Sequence, residues 1–188
     1  MPEAIYPDLK ITEVAPDIYC TKFLTYPFAE AILDCCKEKG KWTDEKFLFS
    51  TRDIYLEEVF PDLFSILTSE EAFLNRVFDK IFYTSYFNIY TAFVVKYSLG
   101  DQIKLDTHHD DSYISGSIKL NDEYTGAELL FPRQNFSNKD IQVGDLLLWP
   151  GEVTHPHKCT PLESGEKYSL TMWTREKEGS TINRAIRQ

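Results

Sequence analysis

The sequence predicts a mainly β domain with supporting N-terminal helices, a β-sandwich or jelly roll backed by helices. Two patterns carry this reading. Helical periodicities fall before about residue 88, and from Tyr90 onward short strand-like runs are punctuated by Gly, Pro, Asn and Asp. Size is the third observation. A chain of 188 residues that is 43% hydrophobic can bury one sizeable core, but neither half is large enough to cover its own apolar face. The expected organisation is therefore one domain over 1–188. In it, 1–88 give helical support and outer strands, 89–176 the jelly-roll core, and 177–188 a tail.

The elements follow in order. Phe28 to Lys39 reads as a helix: Pro27 suits a first turn, Phe28, Ala31, Ile32, Cys35 and Cys36 recur at helical spacing, and Gly40 is a stop signal. Arg52 to Leu56 alternates like a strand. A second helix is expected from about Ser69 to Tyr83, opened by a Thr68–Glu71 capping box and striped by Leu74, Val77, Phe78, Ile81 and Phe82. Strands are then expected at Tyr90–Tyr97, Ser112–Leu120, Ala127–Phe131, Asp145–Trp149 and Lys167–Trp173. The turns between them fall at Gly100-Asp101, Asn121-Asp122, Gly144-Asp145 and Pro150-Gly151.

Charge and cysteine usage exclude whole classes. With 20 basic against 30 acidic residues the formal charge is −10, which argues against a phosphate-backbone binder and leaves room for a basic partner. No apolar run approaches the roughly 18 residues of a membrane span. The four cysteines, Cys20, Cys35, Cys36 and Cys159, make no C-x-x-C pair. Free thiols in a reducing compartment are expected. The N-terminus has no basic segment followed by an apolar one, so a cytoplasmic location is expected, or else a domain cut from a longer chain.

All four histidines lie in the strand-rich part: His108, His109, His155 and His157. His108-His109-Asp110-Asp111 contains two His-x-Asp pairs, and residues two apart on a strand share a face. If the strand continued in register, His108 and Asp110 would share a face with Ser112, Ile114, Gly116, Ile118 and Leu120, the more apolar set. That parity selects His108 and Asp110 over His109 and Asp111. A third histidine from Thr154-His155-Pro156-His157 would complete two imidazoles and a carboxylate on one side of a metal, the facial triad of non-haem iron(II) oxygenases. His155 and His157 have equal parity, so spacing does not separate them. Ten residues beyond His157, Lys167 offers a cation for the far end of a dicarboxylate. Lys167, Ser169, Thr171 and Trp173 would line one face, with Tyr168, Leu170 and Met172 packing away from it.

The ordered set Phe93-Val94-Val95-Lys96-Tyr97, His108-His109-Asp110, Leu120-Asn121, Trp149-Pro150-Gly151, Thr154-His155-Pro156-His157 and Gly165-Glu166-Lys167-Tyr168 resembles the catalytic domain of procollagen lysyl hydroxylases. More broadly it is similar to the prolyl and lysyl hydroxylase branch of the 2-oxoglutarate-dependent iron(II) dioxygenases. The similarity begins near Val14-Ala15-Pro16-Asp17-Ile18-Tyr19, includes Thr51-Arg52-Asp53-Ile54 and runs to about Trp173, most of the chain.

The resemblance implies a double-stranded β-helix (jelly roll), with His108, Asp110 and His157 as iron ligands. It favours His157 over His155 because the family's basic residue stands about ten positions after the distal ligand. It places Lys167 at the distal carboxylate of 2-oxoglutarate, and Tyr97, Thr171 and Trp173 along the same pocket. It implies Fe(II), 2-oxoglutarate and O2, with ascorbate supporting activity, and release of succinate and CO2. The expected substrate is a lysine side chain in a peptide or protein, such as a basic peptide. One residue departs from this pattern. Lysyl hydroxylases typically carry Arg where this chain has Lys167, whereas animal and plant prolyl 4-hydroxylases carry Lys. An Arg binds carboxylate as a planar fork and a Lys as a point charge. A prolyl or free amino-acid hydroxylase of the same mechanism is therefore the alternative. A non-catalytic jelly-roll module binding a metal or ligand is the remote one.

Overall fold

The computed structural model describes residues 5–6, 10–43, 51–69, 73–84 and 87–177. It is mainly β, with two antiparallel sheets. The first part of the chain supplies β1 (Thr12–Ala15), β2 (Ile18–Lys22), α1 (Tyr26–Lys39), β3 (Arg52–Tyr55), α2 (Leu56–Val59), α3 (Pro61–Thr68) and α4 (Phe73–Phe82). The remainder supplies β4 (Phe87–Ser98), β5 (Leu105–His108), β6 (Ile114–Lys119), β7 (Tyr124–Gly126) and β8 (Leu129–Phe131). It ends with β9 (Phe136–Ser137), β10 (Asp145–Pro150), β11 (His157–Cys159) and β12 (Leu162–Glu176).

The larger sheet has the order β1-β2-β10-β6-β12-β4-β3, with β7 on the far end of β12; the smaller is β5-β11-β8-β9. Successive strands pass between the two sheets: β4 large, β5 small, β6 large, β8 and β9 small, β10 large, β11 small, β12 large. That alternation, with antiparallel neighbours throughout, is the jelly-roll winding.

Strand parity sorts the side chains into two layers. Val94, Ile118, Leu146, Leu148, Leu170 and Met172 pack away from the small sheet, in one cluster with Ile32, Leu33, Leu63 and Phe78 of the helices. Their neighbours in sequence turn inward. Phe93, Val95 and Tyr97 meet Ala127, Cys159 and Leu162, and Leu147 and Trp149 meet Ile18 and Phe131. On β12, Tyr168, Leu170 and Met172 lie in the helix-side cluster, while Lys167, Ser169, Thr171 and Trp173 line the inner cavity, as the alternation predicts. Leu170 is fully buried and pairs in register with both Val94 and Ile118. Leu170→Ala is expected to cost about 2–5 kcal/mol through lost burial and a residual cavity. The midpoint shift in a urea titration measures it, and a change below 1 kcal/mol would mean this layer is loosely packed.

Several local expectations are corrected. α1 begins two residues earlier, at Tyr26, with Pro27 still in its first turn. The helix expected over 69–83 is preceded by another. Pro61 starts α3, and Thr68, read as an N-cap, is its last residue, with its hydroxyl donating back to the Phe64 carbonyl at 2.9 Å. Ser69 N–H closes that turn on the Ser65 carbonyl, 3.1 Å, and the described part of α4 is Phe73–Phe82. Glu71, the other half of the expected capping box, lies outside the described residues. The strand expected at Ala127–Phe131 is shortened to β8, Leu129–Phe131, and a separate β7 precedes it, because Gly126 and Ala127 both take positive φ, 73° and 48°. No helix among the described residues is long and apolar enough to cross a membrane.

Candidate metal and co-substrate site

The site lies between the sheets, where β5 and β11 run antiparallel with His157 opposite His108. Beyond β5 the chain leaves strand geometry, and Asp110 is anchored by its N–H to the Gly151 carbonyl at 3.0 Å. His108, Asp110 and His157 thereby present one ligand atom each, all within 4.8 Å of one another. Both histidine Nε2 atoms stand 3.6 Å from Asp110 Oδ1, and the imidazole centroids are 4.4 Å apart.

The parity argument selected this pair, but its premise does not hold. The residues between β5 and β6 form bends, so register is lost across 109–113. The apolar set Ile114, Gly116 and Ile118 faces the helices. Ser117, of the opposite parity, faces the cavity with His108 and Asp110.

Hydrogen bonding fixes the imidazole tautomers. His108 Nδ1 lies 2.8 Å from the Asp106 carbonyl and His157 Nδ1 lies 3.0 Å from the His155 carbonyl. A carbonyl only accepts, so each Nδ1 carries a proton, and the neutral form of each ring would present the Nε2 lone pair to a metal beside Asp110. That arrangement suits metal ligation. Trp149 and Phe131 wall His157 in, with ring centroids 5.3 and 5.2 Å away. Among the described residues, Asp110 Oδ2 is buried with no hydrogen-bond partner. Burial acts to raise the Asp110 pKa, yet His157 and His108 hold it below the ordinary carboxylate value. Burial, reinforced by His157, pushes the His108 pKa down, which favours the neutral imidazole. Two imidazole nitrogens and a carboxylate, buried and converging, fit a divalent first-row ion such as Fe(II).

The remaining candidates share one cavity of about 590 Å³ with this cluster: Lys167, Tyr97, Thr171 and Trp173 all line it. Lys167 is buried. Its ammonium donates to the Ala127 carbonyl at 2.8 Å, has Cys159 Sγ at 3.7 Å, and lies 5.2 Å from the Tyr97 ring centroid. An ammonium has three donors, and one carbonyl and one weak sulfur acceptor leave capacity for an anion. Burial depresses the Lys167 pKa, partly offset by Cys159; burial, with Cys159 next, raises that of Tyr97. The positive φ of Ala127 turns its carbonyl to Lys167 in a conformation that costs a non-glycine residue about 1–2 kcal/mol.

His155 is elsewhere. It is buried outside the cavity lining, with Nε2 3.1 Å from the Pro16 carbonyl and Nδ1 2.9 Å from Thr154 Oγ1. Its backbone, not its ring, serves the cluster by holding His157. His109 and Asp111 line the cavity at its exposed rim. Sequence reasoning missed Cys159 as a cavity residue. Its parity with His157 on β11 was the available signal, hidden because three residues, His-Lys-Cys, do not announce a strand. It also missed Asp53, with Thr43 and Thr51, on the cavity wall.

Residues 92–175 match the family model described as the 2OG-Fe(II) oxygenase superfamily. Among curated proteins, the chain is 26% identical over 185 residues to a Caenorhabditis elegans multifunctional procollagen lysine hydroxylase and glycosyltransferase, covering 87% of this chain and 24% of that one. It is 28% identical over 181 residues to human procollagen-lysine,2-oxoglutarate 5-dioxygenase 2, with coverage of 87% and 24%. The chain thus spans about a quarter of the length of the curated relatives it matches. Among solved structures it resembles the viral collagen prolyl hydroxylase of Paramecium Bursaria Chlorella virus-1 in its 2OG complex. There the TM-score is 0.65 at 15% identity, covering 88% of this chain and all of that one. It also resembles a Pseudomonas putida prolyl-4-hydroxylase, with a TM-score of 0.63 at 15% identity and coverage of 86% and 93%.

Proposed function

We propose that this chain, whose residues 92–175 match the 2OG-Fe(II) oxygenase model, is a dioxygenase that hydroxylates a side chain, lysine in a peptide or protein, with release of succinate and CO2. The observation that carries the reading is the convergence of His108 Nε2, Asp110 Oδ1 and His157 Nε2 in the cavity that also holds the buried ammonium of Lys167.

In this reading the three side chains hold Fe(II). Lys167 receives the distal carboxylate of 2-oxoglutarate, and Tyr97 and Thr171 line its path. When bound, iron and 2-oxoglutarate supply the activation of O2 that places one oxygen atom on the substrate C–H and the other in succinate. The chain's own residues do the rest. Asp106 and His155 carbonyls orient the imidazoles, and Trp149, Phe131 and Leu129 keep water from the cluster. No protein side chain is required to move a proton from the substrate. The lysine assignment is supported by the likeness to procollagen lysine hydroxylases. Lys167 itself favours the second reading, a prolyl hydroxylase.

Incubation with Fe(II), ascorbate and 2-oxoglutarate is expected to yield succinate in the presence of a suitable peptide. Mass spectrometry then decides the residue. A +16 shift on lysine supports the first reading, a +16 shift on proline the second, and no peptide-dependent succinate overturns both.

A further inference from the structure

We propose that Asp53 is the specificity-determining residue of this site: a carboxylate that selects a cationic side chain. The inference rests on the dioxygenase reading above and deepens it.

Asp53 stands on β3, the edge strand of the larger sheet, opposite Val95, which in turn pairs with Ser169. At about 4.8 Å per strand this sets Asp53 roughly 10 Å from the β12 row that carries Lys167 and Thr171. The carboxylate is half-buried and lines the cavity. It is held rigidly: Thr43 Oγ1 donates to Oδ1 at 2.6 Å and Thr51 Oγ1 to Oδ2 at 2.9 Å. Among the described residues no cation pairs with it. Arg52, its neighbour, turns away to Asp101 at 2.8 Å and to the Thr43 carbonyl at 2.7 Å. Lys167 is the sole Lys or Arg among the described cavity-lining residues and is committed to the Ala127 carbonyl.

A carboxylate placed this way faces the cavity with unused acceptor capacity and no counter-charge. Beside it runs an aromatic stripe. Tyr55 meets Phe93 edge-on at 6.2 Å, and Phe93 meets Trp173 edge-on at 5.1 Å. Register explains the stripe, since Tyr55 pairs with Phe93 and Phe93 with Thr171. An apolar wall ending at an oriented carboxylate suits a methylene chain that carries an ammonium. The chain packs on the rings, and the charge meets Asp53 with cation–π support. A prolyl side chain has no group for Asp53 and would leave the carboxylate unanswered.

The test compares peptides differing only in lysine against norleucine, which keeps the methylenes and drops the charge. Wild type is expected to favour lysine about 10- to 100-fold in kcat/KM, the worth of one charge-assisted hydrogen bond. Asp53→Asn is expected to erase that preference, and Asp53→Glu to restore most of it. A lysine-to-norleucine ratio unchanged in Asp53→Asn overturns the inference and leaves the dioxygenase reading standing. So does a wild type that hydroxylates prolyl but not lysyl peptides. Absence of succinate with every peptide overturns the dioxygenase reading instead. If Asp53→Asn does not fold, the wild-type ratio decides: equal use of lysine and norleucine overturns the inference.

Discussion

Replacing His157 with alanine is expected to abolish Fe(II) binding and reduce succinate formation by more than 100-fold. Its Nε2 stands 3.6 Å from Asp110 Oδ1, matched by His108 at 3.6 Å. Removing it leaves a buried carboxylate with one imidazole. Loss of an outer-sphere partner costs a metal site about 10- to 100-fold in affinity, and loss of a ligand exceeds that. His108→Ala is expected to behave alike. His155→Ala is the discriminating control. Its ring bonds the Pro16 carbonyl and Thr154 rather than the cavity, so it is expected to lower stability by about 1–3 kcal/mol while iron binding persists. Iron content after gel filtration, with chemical denaturation of each variant, measures both. If His155→Ala loses iron and His157→Ala keeps it, the ligand assignment is wrong.

The long apolar strands of the larger sheet, β4, β6, β10 and β12, were legible, while its short β1 and β2 were not read as strands. On β12 the alternation Lys167, Ser169, Thr171, Trp173 against Tyr168, Leu170, Met172 gives the inner and outer faces directly. Of the smaller sheet, β8 was read, and the histidine-bearing strands β5 and β11 were not. Leu105-Asp106-Thr107-His108 has one apolar residue, and His157-Lys158-Cys159 has one aliphatic-like thiol. These strands are held by cross-strand pairing and the cavity wall rather than by a hydrophobic face, so no periodicity marks them. They are also the strands that bear the histidines. The three converging side chains were picked out by residue type, spacing and resemblance, while the strand register assumed for them does not hold: register ends at His108, and Asp110 is set by its N–H bond to Gly151. Thr68 shows the same limit among the helices. Its hydroxyl meets the demands of an N-cap in sequence, yet it bonds backward to Phe64 because Pro61 had already started the helix. Asp53 lay in a segment read only as an alternating strand. Its role depends on Thr43, ten residues away in sequence, which no local pattern connects.

Lys167→Ala is expected to weaken 2-oxoglutarate binding by about 100- to 1000-fold, since truncating one partner of a buried charge pair costs about 2–5 kcal/mol. The pH profile identifies the cause. Burial depresses the Lys167 pKa from its ordinary 10.5, and only the ammonium attracts a carboxylate. Below that lowered pKa the affinity is expected to be flat with respect to this group. Above it, affinity falls roughly tenfold per pH unit, because binding then requires uptake of a proton. Folding of the protein without co-substrate has the opposite slope. The unfolded lysine binds its proton more tightly than the folded one, so between the two pKa values the unfolded state holds more protons. Stability therefore rises with pH through that window, and the penalty of burying the charge is complete below the folded pKa. Lys167→Arg separates the two effects. Guanidinium stays protonated, so its alkaline fall in affinity is expected to vanish even if its absolute affinity is lower in a pocket shaped by Ala127, Cys159 and Tyr97. Titration calorimetry across alkaline pH, on wild type and the arginine variant, measures the difference. Parallel profiles would show that the alkaline group is not Lys167.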